Sequence, residues 1–450
     1  MAAGHSLDPA RWQAGLEELL GRIAGRFGRV EPRRRARAFV CGLLADLPRK
    51  NCWTLAEHAG DATPDGMQHL LGRAVWDHDG VRDDVRAYLT EALGDPEAVL
   101  VVDETGDLKK GAATVGVQRQ YSGTAGRVEN AQVAVYLLYA SDAGQAMIDR
   151  ELYVPRGWIA DPDRCRAAGI PEQVGFATKP ALASRMLARA LDAGVPAAWV
   201  TGDEVYGADP GLRAELEARG IGYVLAVACD HPVRAGGDTY RADVLARRVP
   251  ARAWQLVSAG RGAKGHRYYD WAFIRLTDGD AAPGGQAPRW LLVRRNRRTR
   301  ELAFYRCWTP CPVSLASLVR VAGRRWTIEE RFQTGKGLCG LDQHQVRRWR
   351  SWYRWTTLAM VAHAFLVVLA ASHRTQHPPP TRLVSLTCNE VQHLFAALLV
   401  GPADDLGHRL RWSWWRRRHQ ARARTCHYRR QAAQHHEDRD LAGLVLVQRR

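Results

Sequence analysis

The sequence predicts an α/β fold, a mixed sheet with helices on its faces, carrying a β-rich insertion and an N-terminal helical domain. Three observations predict it. Residues 96–228 read as a β-β-β-α-β-α-β series, residues 229–310 change to short strand-like runs among Gly and Arg, and residues 1–95 read as helical throughout.

In the helical domain, Trp12, Leu16, Leu19, Leu20, Ile23 and Phe27 recur at a three-to-four-residue period over residues 11–27. Pro32 opens a second helix behind the cluster Arg33, Arg34, Arg35 and Arg37, and residues 51–59 and 65–76 follow as two more. Thr63 then Pro64 is a helix start: a capping hydroxyl, then a residue needing no amide partner. Helix, Gly-containing turn, helix is the outline of a helix-turn-helix, which fits DNA binding and an ordinary helical hairpin equally well. Residues 79–93 form a last helix that delivers the chain to the sheet.

The stretch AVLVVDETGDLKKGAATVGVQRQYSGTAG, residues 98–126, organises the rest. Val99, Leu100, Val101 and Val102 make a strand buried on both faces, and Asp103 and Glu104 follow at once. A carboxylate ending a buried strand is costly unless paired, and a divalent metal pairs it well. Strands over residues 114–121 and 130–140 complete an antiparallel trio, the opening of a ribonuclease-H-like core; an ordinary β-meander with an exposed Asp is the plain alternative. A loop with Pro155, Pro162 and Pro171 leads to a helix (179–193), a strand (197–201), a helix (209–218) and a strand (221–228). Asp203 thus ends a second apolar strand, and in a sheet of this topology it converges on Asp103.

The insertion offers strands at 254–257, 268–275, 290–293 and 301–307, and helices return over 315–322, 326–334 and 349–371. On the helix RRWTIEERFQTGK, residues 324–336, Arg325, Glu329 and Lys336 share one face while Glu330 points away. A Glu between an Arg and a Lys suits a third metal carboxylate with phosphate-holding cations beside it; a solvated helix ion pair is the plain alternative. Residues 376–382 carry a triple proline, which is linker chemistry, and residues 376–450 end in a basic, aromatic tail.

Composition narrows the class. A chain of 450 residues exceeds one ordinary core, and 46% hydrophobic residues excludes disorder over most of it. A net charge of +18, mostly from Arg, points to a polyanion, with membrane-surface binding as the rival. Nine Cys, an odd number without zinc-site spacing, read as reduced thiols of a cytoplasmic protein; Cys307 and Cys311, the closest pair, have no partner pair. The N-terminus lacks signal-peptide pattern. The apolar run 355–371 is short of a span, carries His363 and has Arg-rich flanks, so it reads as a buried core helix.

The chain resembles the DDE transposases of bacterial insertion sequences, specifically the insertion-sequence 701 family, related to the insertion-sequence 4 cut-and-paste group. LPRKNCWTLAEHAGDATPDGMQHLLGRAVWD, VVDETGDLKKG, VGVQRQYSGTAGRVENAQVAVYL, WVTGDEVYG, RRWTIEERFQTGKGLCGLDQHQVRRW and WYRWTTLAMVAHAFL carry the resemblance, in order, over residues 30–430. It implies a ribonuclease-H-like core interrupted by the insertion, with Asp103, Asp203 and Glu329 as catalytic, metal-binding residues for two Mg²⁺, or Mn²⁺ in its place. It also implies Mg²⁺-dependent cleavage at terminal inverted repeats, strand transfer by the freed 3′-hydroxyl, double-stranded DNA of the ends and the target as partner, and a homodimer in the synapse, with no membrane. Arg325, Glu329 and Lys336 match the Arg, Glu and Lys of the wider group's Tyr–Arg–Glu–Lys signature; its Tyr position falls on Ala322, a departure. Glu330 is the alternative third ligand.

Lys109, Lys110, Arg119 and Tyr121 are candidate DNA contacts, although Lys109 and Lys110 equally suit a solvated loop. Arg416, Arg417 and Arg418 among Trp412, Trp414 and Trp415 suit phosphate tracking and stacking. Trp349, Trp352 and Trp355 suit core packing. A flipped-base stack, as in some transposases of the wider group, would fall to Trp290 or Trp308. The competing readings are a catalytically silent, domesticated DNA binder and a metal-dependent nuclease without strand transfer. A sugar hydrolase with paired carboxylates leaves the charge unexplained.

Overall fold

The computed structural model describes residues 8–123, 126–262, 265–277, 288–377, 384–401 and 406–447. Helix α1 (Pro9–Arg22) starts at Asp8, whose carboxylate accepts the amides of Ala10 and Arg11, and it buries Trp12, Leu16, Leu19 and Leu20 along one stripe. Helices α2 (Val30–Leu44), α3 (Cys52–His58), α4 (Asp65–Gly72) and α5 (His78–Leu93) follow. Asn51 closes a capping box with Thr54 at the start of α3, and Asp77 caps α5. The helices that the apolar period predicts are therefore present, each within a few residues of its expected bounds.

Strand β1 (Val99–Leu108) is longer than the sequence suggests: it continues past Asp103, paired antiparallel to β3 (Arg127–Ala140) throughout. Asp103 thus lies within the strand rather than at its end. The first four residues are buried without a break, and from Asp103 onward Gly106 alone is, which is why the apolar run by itself marks too short an element. Strand β2 (Gln118–Ser122) pairs with the start of β3. Strand β4 (Gln145–Leu152), which the sequence analysis reads as loop, pairs with β3 on the edge opposite β1. Its core-facing Asp149 and Arg150 disguise it as a polar segment.

After the short α6 (Arg156–Ile159) and α7 (Pro162–Ala168), helix α8 (Lys179–Asp192) leads to β5 (Trp199–Gly202), α9 (Glu204–Gly207), α10 (Pro210–Ala218) and β6 (Gly222–Val227). β5 lies parallel between β1 and β6, giving the order β4-β3-β1-β5-β6. Gly207 lets α9 sit on β6: a Cβ there would lie 1.8 Å from the Ala226 carbonyl oxygen.

The hairpin β7 (Pro232–Ala235) and β8 (Asp238–Arg241) and helix α11 (Ala242–Ala246) open the next stretch. Strands β9 (Gln255–Gly262), β10 (Gly265–Leu276), β11 (Arg289–Arg295) and β12 (Leu302–Trp308) then form an antiparallel run that joins β6 through β12. Described residues of this stretch therefore extend one ten-stranded mixed sheet. A small apolar core of Val227, Val233, Leu245, Leu291 and Phe304 lies beneath them.

Helix α12 (Leu315–Arg325) passes into α13 (Thr327–Cys339) through Trp326, whose backbone keeps right-handed helical angles at φ −58° and ψ −25°. Gly340, at φ +63°, ends α13 in a left-handed turn. Helix α14 (Trp349–Gln376) is the central pillar, packing on α5, α2, α13 and β4. It is long and apolar enough to cross a membrane, but 83% of its apolar window is buried within the protein, the core helix that its sequence suggests. Trp352 and Trp355 are buried in it, and Trp349 is half-buried. Helices α15 (Cys388–Leu399) and α16 (Leu406–Val447) complete the chain. Of the triple-proline stretch at residues 376–382, the prolines themselves, residues 378–380, and the residues after them lie outside the described residues.

Candidate active site

The pairing of β1 with β5 builds the site. Val102 is in register with Gly202, so Asp103 and Asp203 leave neighbouring parallel strands at the same level. Asp203 also caps α9, its carboxylate accepting the Val205 amide at 2.9 Å. Carboxylate oxygens of Asp103, Glu104 and Asp203 lie within 4.8 Å of one another. Glu104 is held in place: the Tyr206 hydroxyl donates to it at 2.6 Å, and the Lys179 ammonium, at the start of α8, pairs with its other oxygen.

Electrostatics record the crowding. Burial, then the neighbouring Asp203 carboxylate, push the Asp103 carboxyl up to about 7, against the pull of Arg325. Asp203 is raised too, by burial and then by Glu104, and Arg325 again opposes the shift. A site of hard oxygen donors whose charges repel one another is relieved by a divalent cation, so these residues fit one.

The acids open on a cleft of about 840 Å³, lined by Asp103, Glu104, Asp203, Glu329, Lys179 and Lys336 among others. Glu329 is exposed on the α13 wall, outside the tight cluster of Asp103, Glu104 and Asp203. Glu330, also exposed, lies near Arg331 at 3.7 Å. Arg325 is half-buried at the end of α12, near enough to both Asp carboxyls to stabilise their charged forms. Lys336 lines the cleft while its ammonium lies 3.4 Å from Asp107.

Other candidates are spread more widely. Lys109 is turned inward, 3.2 Å from the His344 carbonyl oxygen and 3.9 Å from Asp107, whereas Lys110 is exposed. Arg119 is exposed on β2, and Tyr121, 65% exposed, lines the cleft. Ala322 is buried, and the phenol placed on the acids is that of Tyr206. Trp308 is buried against Tyr223, and Trp290 packs half-buried against the core. In the tail, Arg416 pairs with Glu57 of α3, and Arg417 and Arg418 are exposed. Trp412 is fully buried and Trp415 stands edge-on to Trp53, so only Trp414, with Arg418 over its ring, presents an open face. All nine cysteines are free thiols.

Sequence reasoning passed over Glu104, Lys179, Tyr206 and Asp107 as site residues. Glu104 was legible, since it stands beside Asp103 in the same motif; Lys179 and Tyr206 reach the acids only through the folded α8 and α9.

Fold and acids together define the class: a mixed α/β protein whose carboxylate cluster suits a divalent cation. The chain belongs to the DDE superfamily endonucleases, whose family model matches residues 22–264. A second family, described as a transposase DDE domain, matches residues 178–365. A probable transposase for insertion sequence element IS701 from Microchaete diplosiphon is 29% identical over 194 residues, 43% of this chain and 48% of that protein. The chain thus matches about half the length of that curated relative. These matches bear out the resemblance to insertion-sequence DDE transposases that the motifs carry. A solved piggyBac transposase synaptic complex with hairpin DNA shares 11% identity at a TM-score of 0.44, over 92% of this chain and 86% of that one.

Proposed function

We propose that the protein is a DNA transposase that binds the terminal inverted repeats of its own mobile element, cleaves DNA at the element ends and joins the freed 3′-hydroxyl to target DNA. The observation that carries this reading is the convergence of Asp103 and Asp203 from paired parallel strands, beside Glu104 and in a cleft that Glu329 also lines. The order β4-β3-β1-β5-β6, two antiparallel pairings followed by two parallel ones, supports a ribonuclease-H-like core.

Asp103, Asp203 and Glu329 would hold Mg²⁺, or Mn²⁺ in its place. When bound, the metal pair activates the attacking oxygen and stabilises the leaving one in an in-line displacement. In the first step a water oxygen attacks the phosphorus at the element end, the P–O3′ bond breaks, and the 3′-oxygen leaves as a hydroxyl. In the second, that 3′-hydroxyl attacks a target phosphodiester, one P–O bond forming as another breaks. The chain's own part is positioning: Arg325, Lys336 and Lys179 supply positive charge beside the acids for phosphates, and the exposed Lys110 and Arg119 are further candidate phosphate contacts.

The same reading takes residues 1–95 as a helical DNA-binding domain, 96–228 and 311–375 as the two parts of the core, 229–310 as the insertion and 376–450 as a basic C-terminal region with Arg417 and Arg418 toward DNA. It makes the working form a homodimer, since two ends must be held together, acting in the cytoplasm. A strand-transfer assay with precleaved ends tests it. Joined product supports a transposase, whereas cleavage of intact ends with no joining assigns the site to a nuclease.

A further inference from the structure

Next to the cleft, a charged cluster is built round Asp107 of β1, a carboxylate that the chemistry above does not use. Asp107 is four residues beyond Asp103 on the same strand. The His344 imidazole Nε2 lies 3.2 Å from one of its carboxylate oxygens, and Lys336 of α13 lies 3.4 Å from the other. Lys336 also donates to the Gly106 carbonyl at 3.3 Å, and Lys109 donates to the His344 carbonyl at 3.2 Å. The His344 side chain is fully buried, and Asp107 and Lys336 are largely so.

The helix carrying Glu329 is thereby tied to the strand carrying Asp103. Glu329, Phe332 and Lys336 stand at i, i+3 and i+7, one face of α13. Phe332 packs edge-on against Tyr136, the β3 residue paired with Asp103, and Lys336 is fixed to Asp107. Seven helical residues advance about 10.5 Å, and four strand residues about 13 Å. With Lys336 fixed at Asp107, the helix brings Glu329 back to the level of Asp103.

We propose that the Asp107–His344–Lys336–Lys109 cluster is a register lock that positions the Glu329 helix against strand β1, with Asp107 acting on the reaction through Glu329 while touching neither DNA nor metal. This rests on the reading of Asp103, Asp203 and Glu329 as the metal site. His344 is the buried side of the lock. It fixes the Asp107 carboxylate so that one oxygen faces Lys336, as partners behind a ligand commonly orient it.

The test uses the full chain and Mn²⁺ alone, by titration calorimetry, with hydrogen exchange of residues 327–339 in the metal-free protein. Asp107→Asn and His344→Leu should each speed exchange in α13 and weaken Mn²⁺ binding by about 10- to 100-fold. His344→Gln, which keeps a donor toward Asp107, should restore both. Asp107→Asn added to Glu329→Gln should cost no more Mn²⁺ affinity than Glu329→Gln alone, because one acts through the other. Additive losses, or folded Asp107→Asn with unchanged Mn²⁺ affinity, would overturn the lock. If Asp107→Asn does not fold, the His344 pair decides alone: equal behaviour of Leu and Gln overturns the proposal. Wild-type protein that binds no Mn²⁺ overturns the metal-site reading itself, while α13 exchange still reports on the lock.

Discussion

The Trp412 indole donates to the Asp61 carbonyl at 2.7 Å, which seats the C-terminal helix on the turn between α3 and α4. His408 on the Glu57 carbonyl and Arg416 on the Glu57 carboxylate repeat the contact on either side. The unit with a helix-turn-helix outline is therefore part of a larger assembly with the basic tail, and the tail tryptophans divide by role. Trp412→Ala should lower unfolding free energy by about 3–5 kcal/mol, the cost of emptying a buried indole site. Trp414→Ala, at an exposed ring, should stay within about 0.5 kcal/mol of wild type. Urea titration measures both, and equal effects would contradict this division.

Asp149 is fully buried on β4, with guanidinium groups of Arg189 at 3.0 Å, Arg82 at 3.6 Å, Arg150 at 3.8 Å and Arg86 at 4.0 Å. Those arginines come from α8, α5 and β4, so one carboxylate joins the helical segment to the sheet. Asp149→Ala should destabilise by about 3–5 kcal/mol because it strands buried positive charge. Thermal unfolding within 1 °C of wild type would refute that.

His363, in the middle of α14, is fully buried, and neither ring nitrogen has a hydrogen-bond partner among the described residues. Burial pushes its pKa down to about 3 from 6.5. Between those values the unfolded chain takes up a proton that the folded chain refuses, so stability falls as pH drops, by at most about 1.4 kcal/mol per pH unit from this group. His363→Leu should flatten the slope of unfolding free energy against pH below 6.5. An unchanged slope would count against it.

Asp103 has the opposite sign. Its carboxyl is raised from 3.8 to about 7, so the metal-free folded state holds a proton that the unfolded chain has lost, and stability falls as pH rises through that window. Asp103→Asn removes the repulsion with Asp203. It should stabilise the metal-free protein above pH 7 by about 1 kcal/mol or more, and this gain should shrink near pH 4. Calorimetric melting at the two pH values checks the order.

The sheet was legible where residues advertise their environment. Val99–Val102 and Trp199–Gly202 are apolar and end at acids, so their pairing and the Asp103–Asp203 convergence followed from pattern and topology. β4 was hidden because Asp149 and Arg150 are buried as a charged network, which a hydropathy pattern scores as surface. Trp412 and Trp415 look like stacking aromatics because Arg surrounds them in sequence, yet helical periodicity turns those two inward. Such misses share one cause, since a side chain's partner from a distant segment leaves no trace in its own neighbourhood.

The central claim is that Asp103, Asp203 and Glu329 form one metal-dependent DNA-cutting site. The most direct measurement is cleavage of a duplex bearing the element's own end, with Mg²⁺ or Mn²⁺, by wild type and by Asp103→Asn, Asp203→Asn, Glu329→Gln and Glu330→Gln. The account predicts that the first three lose cutting by at least about 100-fold while still binding the duplex, and that Glu330→Gln cuts normally. Undiminished cutting by Glu329→Gln, or a wild type that binds the ends and never cuts them, would contradict it.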